Sequence, residues 1–203
     1  MAEQIAKIRK KVWYPIVSPQ FNNIQIGDTL VYDPSQTIGK TMKQSLMNLT
    51  NDMKRQNISV TFKVTSFEDN KAMTSVIGYE VVQSYVRRLV RRNSEKIDMS
   101  FICDTEDGVF LRIKPIVMLR ASVKGSVAAK MRHNIQNHIT KTVKKMKFED
   151  VMGDVIAHKI QSEMKEILNK IYPVKICEIR YVGIEEVDKP REEAKAEVAE
   201  AKE

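Results

Sequence analysis

The period of the apolar residues changes after residue 119, and this change constrains the fold more than any other feature of the chain. Before it, apolar and polar residues alternate, as at Ile58, Val60, Phe62 and Val64, which is the pattern of half-buried β-strands. From Val127 onward, apolar residues recur every three or four positions, as in amphipathic helices. Residues 174–182 alternate again. The sequence therefore predicts an α+β fold in which a late strand returns to the earlier ones.

Turn signals divide the alternating parts into individual strands. We predict strands at residues 24–32, 41–49, 57–67, 72–79, 97–104, 109–119 and 174–182. Residues 57–67 and 72–79 are expected to form one hairpin, and the Asp107-Gly108 turn predicts a second one. Helices are predicted over residues 127–146 and 148–171. We expect a mainly antiparallel, barrel-like β core with two to three attached amphipathic helices.

The charge of the chain is unevenly distributed. The chain has 34 Lys and Arg residues against 26 Asp and Glu residues, but residues 184–203 hold eight of the acids and four of the bases. Residues 1–183 therefore carry 30 basic and 18 acidic residues, a net charge of +12. We divide the chain into a basic N-terminal arm (1–12), a single α+β domain (13–183) and an acidic flexible tail (184–203). So basic a body indicates a polyanionic partner.

Two arginine pairs, Arg87-Arg88 and Arg91-Arg92, lie among apolar residues with helical spacing. We predict an arginine-rich helix here. The side chains expected to anchor it to the β core are Val82, Val86, Leu89 and Val90. Guanidinium groups bind phosphate oxygens in a bidentate manner, and four like charges on about three turns repel one another unless an anion neutralises them. The pattern favours RNA phosphate, and the alternative is a solvated helix face.

Basic residues are also spread over several other predicted elements. A sequence-specific DNA-binding protein concentrates its contacts on one recognition element, whereas a protein that binds folded RNA meets phosphates from several directions. The spread therefore favours RNA that is recognised by its shape. The candidate RNA-binding residues are Lys7, Arg9, Lys10, Lys11, Arg87, Arg88, Arg91, Arg92, Lys96, Arg112, Lys114, Arg120, Lys124, Lys130, Arg132, Lys141, Lys144, Lys145 and Arg180.

Other classes of protein find little support in the sequence. There is no run of about 18 apolar residues for a membrane span and no secretory pattern at the N-terminus, so we expect a cytosolic protein. Cys103 and Cys177 have no CxxC partner and are expected to be reduced and buried. Gly39-Lys40-Thr41 matches the end of a phosphate-binding loop, but Pro34 occupies the position of the first glycine of that loop.

We expect no enzymatic activity, no metal or cofactor site and no small-molecule substrate. His133 and His138 are five positions apart, which does not place two metal ligands on one face of a helix. Asp150 and Asp154 do share a helix face and could hold Mg²⁺ or act as an acid/base pair. Acidic residues in the first turns of a helix also complement its dipole, and the sequence favours that role.

Several motifs follow one another in an order that resembles a known family. They are Lys11-Val12-Trp13-Tyr14 with Pro19; residues 38–41, 45–46 and 49–50; Gly78-Tyr79-Glu80; residues 85–92 and 96–98; Asp107-Gly108; residues 111–115; Ile171-Tyr172-Pro173; and Glu178-Ile179-Arg180. Together they resemble the archaeal and eukaryotic small-subunit ribosomal protein family S-three-a-e, also called e-S-one. Asn48 departs from the family pattern, which favours Asp there. The acidic tail lies outside the resemblance.

The resemblance implies a structural component of the small ribosomal subunit without enzymatic activity. It implies a location on the platform of the subunit, near the mRNA exit, with rRNA, neighbouring platform proteins and mRNA as partners in the cytoplasm. It also implies a mainly β, barrel-like core with attached helices, and the length of the chain favours an archaeal member. The alternative is an RNA-binding translation factor or regulator that is not a stoichiometric part of the ribosome.

Overall fold

The computed structural model describes residues 10–185. These residues form nine β-strands and five α-helices, which divide into two compact units between Ser94 and Glu95. The predicted α+β class is confirmed. Most of the basic arm, up to residue 9, and the acidic tail from residue 186 lie outside the described residues.

The first unit is built on a five-stranded sheet. Its strands are β1 (Val12–Ser18), β2 (Ile24–Val31), β3 (Thr41–Ser45), β4 (Ile58–Glu68) and β5 (Lys71–Val81), and its helices are α1 (Leu46–Thr50) and α2 (Gln83–Leu89). The strands lie in the order β2-β1-β5-β4-β3, and all neighbours are antiparallel except β1 and β5. The predicted hairpin of β4 and β5 is confirmed, and its turn residues Asp69 and Asn70 both have positive φ. Two such residues are typical of a tight hairpin turn.

The second unit combines four strands with three helices. They are β6 (Lys96–Asp98), β7 (Phe101–Asp104), β8 (Phe110–Leu119), α3 (Gly125–Val143), α4 (Phe148–Ile156), α5 (Lys159–Asn169) and β9 (Val174–Ile184). The long strand β8 is antiparallel to β9, and successive parts of β8 also pair with β7 and β6. Helix α5 packs against β9, while α3 packs against α5 and β7. The predicted return of a late strand to an earlier one is therefore confirmed, as is the hairpin of β7 and β8.

Helix α3 follows the apolar period that predicted it. Met131, Ile135, Ile139 and Val143 are all buried, so one face of the helix contributes to the core of the second unit. The cysteines are also placed as predicted, because Cys103 and Cys177 are both free thiols in buried positions. Burial raises the pKa of the Cys177 thiol to about 12, which keeps it protonated at neutral pH.

The second predicted amphipathic helix is two helices, α4 and α5. The helix is interrupted at His158, which has a left-handed backbone conformation with φ of 62°. At this break the Val155 carbonyl accepts two hydrogen bonds, from the His158 amide at 3.2 Å and from Gln161 Nε2 at 2.9 Å. The Gln161 side chain thus joins the start of α5 to the end of α4. The apolar period continues across the break at Val155, Ile160 and Met164, so periodicity alone could not reveal it.

The expectation of a barrel-like core is wrong. Within the described residues the sheet does not close on itself: β2 pairs only with β1, and β3 pairs only with β4. The strand predicted over residues 41–49 is also shorter, because Ser45 ends β3 and caps α1 by accepting a hydrogen bond from the Met47 amide at 3.4 Å. The strand predicted over residues 97–104 is divided into β6 and β7 by Met99 and Ser100.

The buried face of α3 provides a test of the fold. Ile139 has no exposed surface, so the Ile139→Ala variant should lower the free energy of unfolding by about 2–5 kcal/mol through reduced burial and a residual cavity. Gln136→Ala, on the exposed side of the same helix, is the matched control and should change it by no more than about 0.5 kcal/mol. Urea unfolding followed by circular dichroism measures both. Equal effects of the two substitutions would show that α3 does not pack through this face.

Candidate nucleic-acid interface

The four arginines predicted to bind RNA are all exposed. Arg87 and Arg88 occupy the last turn of α2, while Arg91 and Arg92 follow the helix. The Arg88 guanidinium donates from Nη2 to Asn57 Oδ1 at 3.0 Å and lies 5.8 Å from the centre of the Tyr85 ring. These contacts orient one guanidinium group without neutralising its charge.

The arginine-rich helix is shorter than the apolar spacing predicted. It ends at Leu89, and Val90 has an extended backbone. Continuing the helix would bring Arg87 beside Arg91 and Arg88 beside Arg92, and like charges four positions apart destabilise a helix. The predicted anchoring is wrong in part. Val86 is buried, but Val82 and Val90 are 37% and 45% exposed.

Helix α3 presents a second group of cations. Lys130, Arg132 and Lys141 are exposed, and neither Asp nor Glu occurs anywhere from Gly125 to Val143. The acid-free stretch is longer than the helix and covers residues 108–148. The basic residues within it are Arg112, Lys114, Arg120, Lys124, Lys130, Arg132, Lys141, Lys144, Lys145 and Lys147. A helix with one buried apolar face, whose exposed cations form no ion pair with a carboxylate among residues 10–185, is suited to contact with a polyanion.

Some predicted RNA-binding residues already have partners within the second unit. Asp98 lies 3.2 Å from Lys96 and 3.5 Å from Arg180, measured between side-chain oxygen and nitrogen. Lys144 lies 3.4 Å from Asp104, and the Lys114 Nζ is 4.8 Å from the centre of the Tyr181 ring. Arg112 forms a bidentate pair with Glu185. The charges of Lys96, Arg112, Lys144 and Arg180 are therefore partly compensated by the protein itself.

The remaining predicted cations are exposed. They are Lys10, Lys11, Arg120, Lys124 and Lys145. Within residues 10–185 none of these five forms an ion pair with a carboxylate. Lys7 and Arg9 lie outside the described residues. Among residues 10–185, the predicted set thus divides into cations with an acidic partner and exposed cations without one.

Two of the residues weighed as catalytic, metal-binding or phosphate-binding groups form side-chain hydrogen bonds within the protein. Asp154 accepts a hydrogen bond from Lys159 Nζ at 2.8 Å, and Lys40 Nζ donates to Thr29 Oγ1 at 3.0 Å. Across residues 10–185 no three His, Cys, Asp or Glu side chains are grouped so as to hold a metal ion. Among the same residues, no helix has the length and apolar character needed to cross a membrane.

Comparison with known proteins assigns the chain to a family. The family model described as the Ribosomal S3Ae family matches residues 2–187. The chain belongs to this family. It is 32% identical to the small ribosomal subunit protein eS1 of Saccharolobus islandicus strain L.S.2.15 over 174 residues, which cover 85% of this chain and 84% of the relative. The resemblance inferred from the sequence motifs is confirmed.

Other members of the S3Ae family from archaea give a similar result. The small ribosomal subunit protein eS1 of Desulfurococcus amylolyticus is 30% identical over 174 residues, covering 85% of this chain and 82% of the relative. The protein of the same name from Saccharolobus solfataricus is 31% identical, with 85% and 84% covered. The chain is therefore an archaeal-type member of a family of structural ribosomal proteins.

One signal in this S3Ae family member was missed when the basic residues alone were considered. Lys147 was not among the predicted RNA-binding residues, yet it is exposed and belongs to the acid-free stretch at residues 108–148. Searching for stretches without acids, as well as for clusters of bases, would have identified this stretch from the sequence. The same search would have made the cations of α3 stronger RNA-binding candidates than Lys96 and Arg180. Both of these pair with Asp98, which is distant from Arg180 in sequence.

The Arg112 and Glu185 pair has a defined electrostatic consequence. Arg112 Nη2 donates to Glu185 Oε1 at 2.6 Å, and a second bond joins Arg112 Nε to Glu185 Oε2. These hydrogen bonds lower the pKa of the Glu185 carboxyl and raise the pKa of Arg112. Because the folded pKa of Glu185 lies below its unfolded value, the stabilisation is present above the unfolded pKa. It is lost as the pH falls through the folded pKa.

Removing the guanidinium group tests this pairing. In the Arg112→Met variant the pKa of Glu185 should rise toward the ordinary range of glutamate, because both the hydrogen bonds and the positive charge are removed. Carbon-13 NMR titration of the Glu185 carboxyl measures the change. Arg180→Met is the matched control, since it removes a cation whose carboxylate partner is Asp98. An unchanged titration midpoint in Arg112→Met would contradict the pairing.

Proposed function

We propose that this chain is an rRNA-binding structural constituent of the small subunit of an archaeal-type ribosome. The observation that carries the proposal is the acid-free stretch at residues 108–148, whose helix α3 is buried along one face and exposes Lys130, Arg132 and Lys141 elsewhere. The names of the archaeal relatives support the assignment to the small subunit.

The physical argument concerns charge that the protein does not compensate. An acidic residue three or four positions away on a helix can compensate a lysine or an arginine. Helix α3 has no such acid, whereas on α5 Glu163 is four positions after Lys159 and Glu166 is four positions before Lys170. Bringing phosphates to α3 would remove the repulsion among its cations and release counterions from the RNA. The pattern therefore favours binding of an RNA backbone over a merely solvated surface.

The first unit would contribute its own phosphate contacts. Arg87, Arg91 and Arg92 are exposed, and guanidinium groups provide paired donors that match phosphate oxygens. Contacts from α2, from α3 and from the basic N-terminal arm would recognise the shape of folded RNA instead of a sequence. The neutralisation of phosphates is the mechanism, and no chemical step is required of the protein.

The wider setting follows from the family resemblance. We place the protein in the cytoplasm, on the platform of the small subunit near the mRNA exit, with neighbouring platform proteins as further partners. In this setting the protein is not an enzyme, and residues 13–183 act as one rRNA-binding domain between the basic arm and the acidic tail. A translation factor or regulator that binds RNA without being a stoichiometric part of the ribosome is the second candidate.

Neutralising the exposed cations of α3 tests the interface. The triple variant Lys130→Gln, Arg132→Gln and Lys141→Gln should bind small-subunit rRNA transcribed in vitro more weakly. The slope of log K against log salt should become shallower by about 0.7–0.9 for each phosphate that the variant no longer neutralises. Filter binding over a salt series measures both quantities.

A control with the same change of charge is available on the neighbouring helix. Lys159, Lys165 and Lys170 are exposed on or just after α5, and replacing all three with Gln also removes three positive charges. This control should change the slope by less than the α3 variant does. If the two triple variants reduce the salt slope equally, the reduction is caused by the change in net charge, and α3 is not the interface.

Sedimentation separates the two candidate functions. A structural constituent should remain with the small subunit during sucrose-gradient sedimentation at high salt, in a ratio of one copy per subunit. Such retention is expected because many phosphate contacts are made together within a folded particle. Recovery of the protein at the top of the gradient, at a salt concentration that leaves other small-subunit proteins bound, would instead support the translation factor.

A further inference from the structure

Three large aromatic and apolar side chains of the first unit are exposed on the solvent side of strands β1 and β2. They are Trp13, Leu30 and Tyr32, which we call the aromatic face. Their exposed fractions are 65%, 39% and 46%. A single exposed apolar residue needs no explanation, but adjacent large ones indicate a binding surface. None of the three is used by the phosphate contacts proposed above.

The strand register places these side chains together. Trp13 on β1 is directly opposite Leu30 on β2, and directly paired residues of antiparallel strands point to the same face of a sheet. Tyr32 comes directly after β2 ends at Val31, and its ring is in contact with Lys11, two positions before Trp13 in the chain. On the other face, Ile16 and Val31 are buried. The aromatic face is thus the solvent side of two strands whose inner side belongs to the core.

Charged side chains of both signs lie near the aromatic face, and a lysine is in contact with one of its rings. Lys10 and Lys11 directly precede β1 and are exposed, and the Lys11 Nζ lies 5.1 Å from the centre of the Tyr32 ring. Asp28 lies on the same side of β2 and is paired in register with Pro15, two positions from Trp13, and Asp33 directly follows Tyr32 in the chain. Asp28 accepts a hydrogen bond from Gln25 Nε2 at 2.7 Å. A ligand over the Tyr32 ring would therefore meet the ammonium group of Lys11.

We propose that the aromatic face binds unpaired bases of single-stranded RNA, which stack on Trp13 and Tyr32 while Lys10 and Lys11 contact the adjoining phosphates. Exposed aromatic rings on a sheet accept bases of any sequence because every base has a π face, and nearby cations follow the backbone. The inference rests on the proposed function only in that the ligand is RNA. It adds an unpaired segment to the phosphate contacts proposed for α3.

The choice of RNA over a protein segment follows from the chemistry beside the rings. A protein docking site of this kind is generally depleted of lysine at its centre. Here Lys11 lies over one of the two aromatic rings. A base with its attached phosphate satisfies both the ring and the ammonium group, whereas an apolar peptide would satisfy only the ring. An acidic peptide would satisfy the lysines but would not stack.

The intrinsic fluorescence of the protein reports directly on this site, because Trp13 is the one tryptophan in the sequence. Titration of the full chain with an eight-nucleotide single-stranded oligouridylate at fixed salt should quench the emission in a saturable way. Inorganic polyphosphate of the same charge should leave the emission nearly unchanged, since it cannot stack. Equal quenching by the two polymers would overturn the proposal.

Substitutions separate stacking from simple apolar contact. Tyr32→Ala should weaken oligouridylate binding by about 5- to 100-fold. Trp13→Phe should retain most of the affinity, while Trp13→Leu, which keeps an apolar side chain but has no π face, should lose it. Competition with a labelled oligouridylate measures the variants that lack Trp13. If Leu performs as well as Phe at position 13, the face binds an apolar partner and the proposal is wrong.

A matched aromatic control lies on the second unit. Phe110 is 44% exposed, and Phe110→Ala should leave oligouridylate binding unchanged. Acrylamide should quench Trp13 strongly in the free protein, as expected for an exposed indole. Protection of the free protein from acrylamide would show that another part of the chain or a second copy covers the face, which would also overturn the proposal.

Failure of this inference can be told apart from failure of the proposed function. In one outcome, Trp13→Leu and Tyr32→Ala bind oligouridylate as well as the Phe110→Ala control does, while the α3 triple variant loses affinity for rRNA. The aromatic face is then not a base-binding site, and the proposed rRNA interface on α3 is retained. If the α3 variant retains the full salt slope while Tyr32→Ala loses oligouridylate affinity, the aromatic face stands and the α3 interface fails.

Discussion

The antiparallel pairing of β8 with β9 is the constraint on which the second unit depends. Its register runs from Leu111 opposite Ile184 to Leu119 opposite Val174, so the intervening chain must leave the sheet and return to it. Three helices fill that excursion, with α5 against β9 and α3 against α5 and β7. This packing turns the apolar face of α3 inward. The cations of α3 face solvent as a direct result.

Local sequence patterns predicted the elements whose contacts are local. The β4 and β5 hairpin and helix α3 follow from alternation, from turn residues and from the helical period. The errors arose where a single side chain overrode the pattern. Ser45 converts the end of a predicted strand into a helix cap, and Gln161 stabilises the break between α4 and α5. The absence of barrel closure among residues 10–185 depends on which strands pair, and periodicity does not specify pairing.

The candidate interface was predictable in kind but not in detail. Basic residues can be identified from the sequence, whereas their compensation depends on partners brought together by the fold. Arg112 and Arg180 were counted as RNA-binding residues, yet their partners Glu185 and Asp98 are far away in sequence. The lack of acids around α3 is different, because it excludes local compensation whatever the fold. The exposure of Trp13 required the strand register and could not be inferred from composition.

The uncompensated charge of α3 links the folding of the protein to its assembly. In the free protein, repulsion among these cations raises the free energy of the native state. A polyanion that binds the native state but not the unfolded chain relieves that repulsion and stabilises the fold by mass action. Copies that have not found a polyanion would then unfold more often than bound ones and be more accessible to proteases. The same helix surface would therefore couple the stability of the protein to its binding of a polyanion.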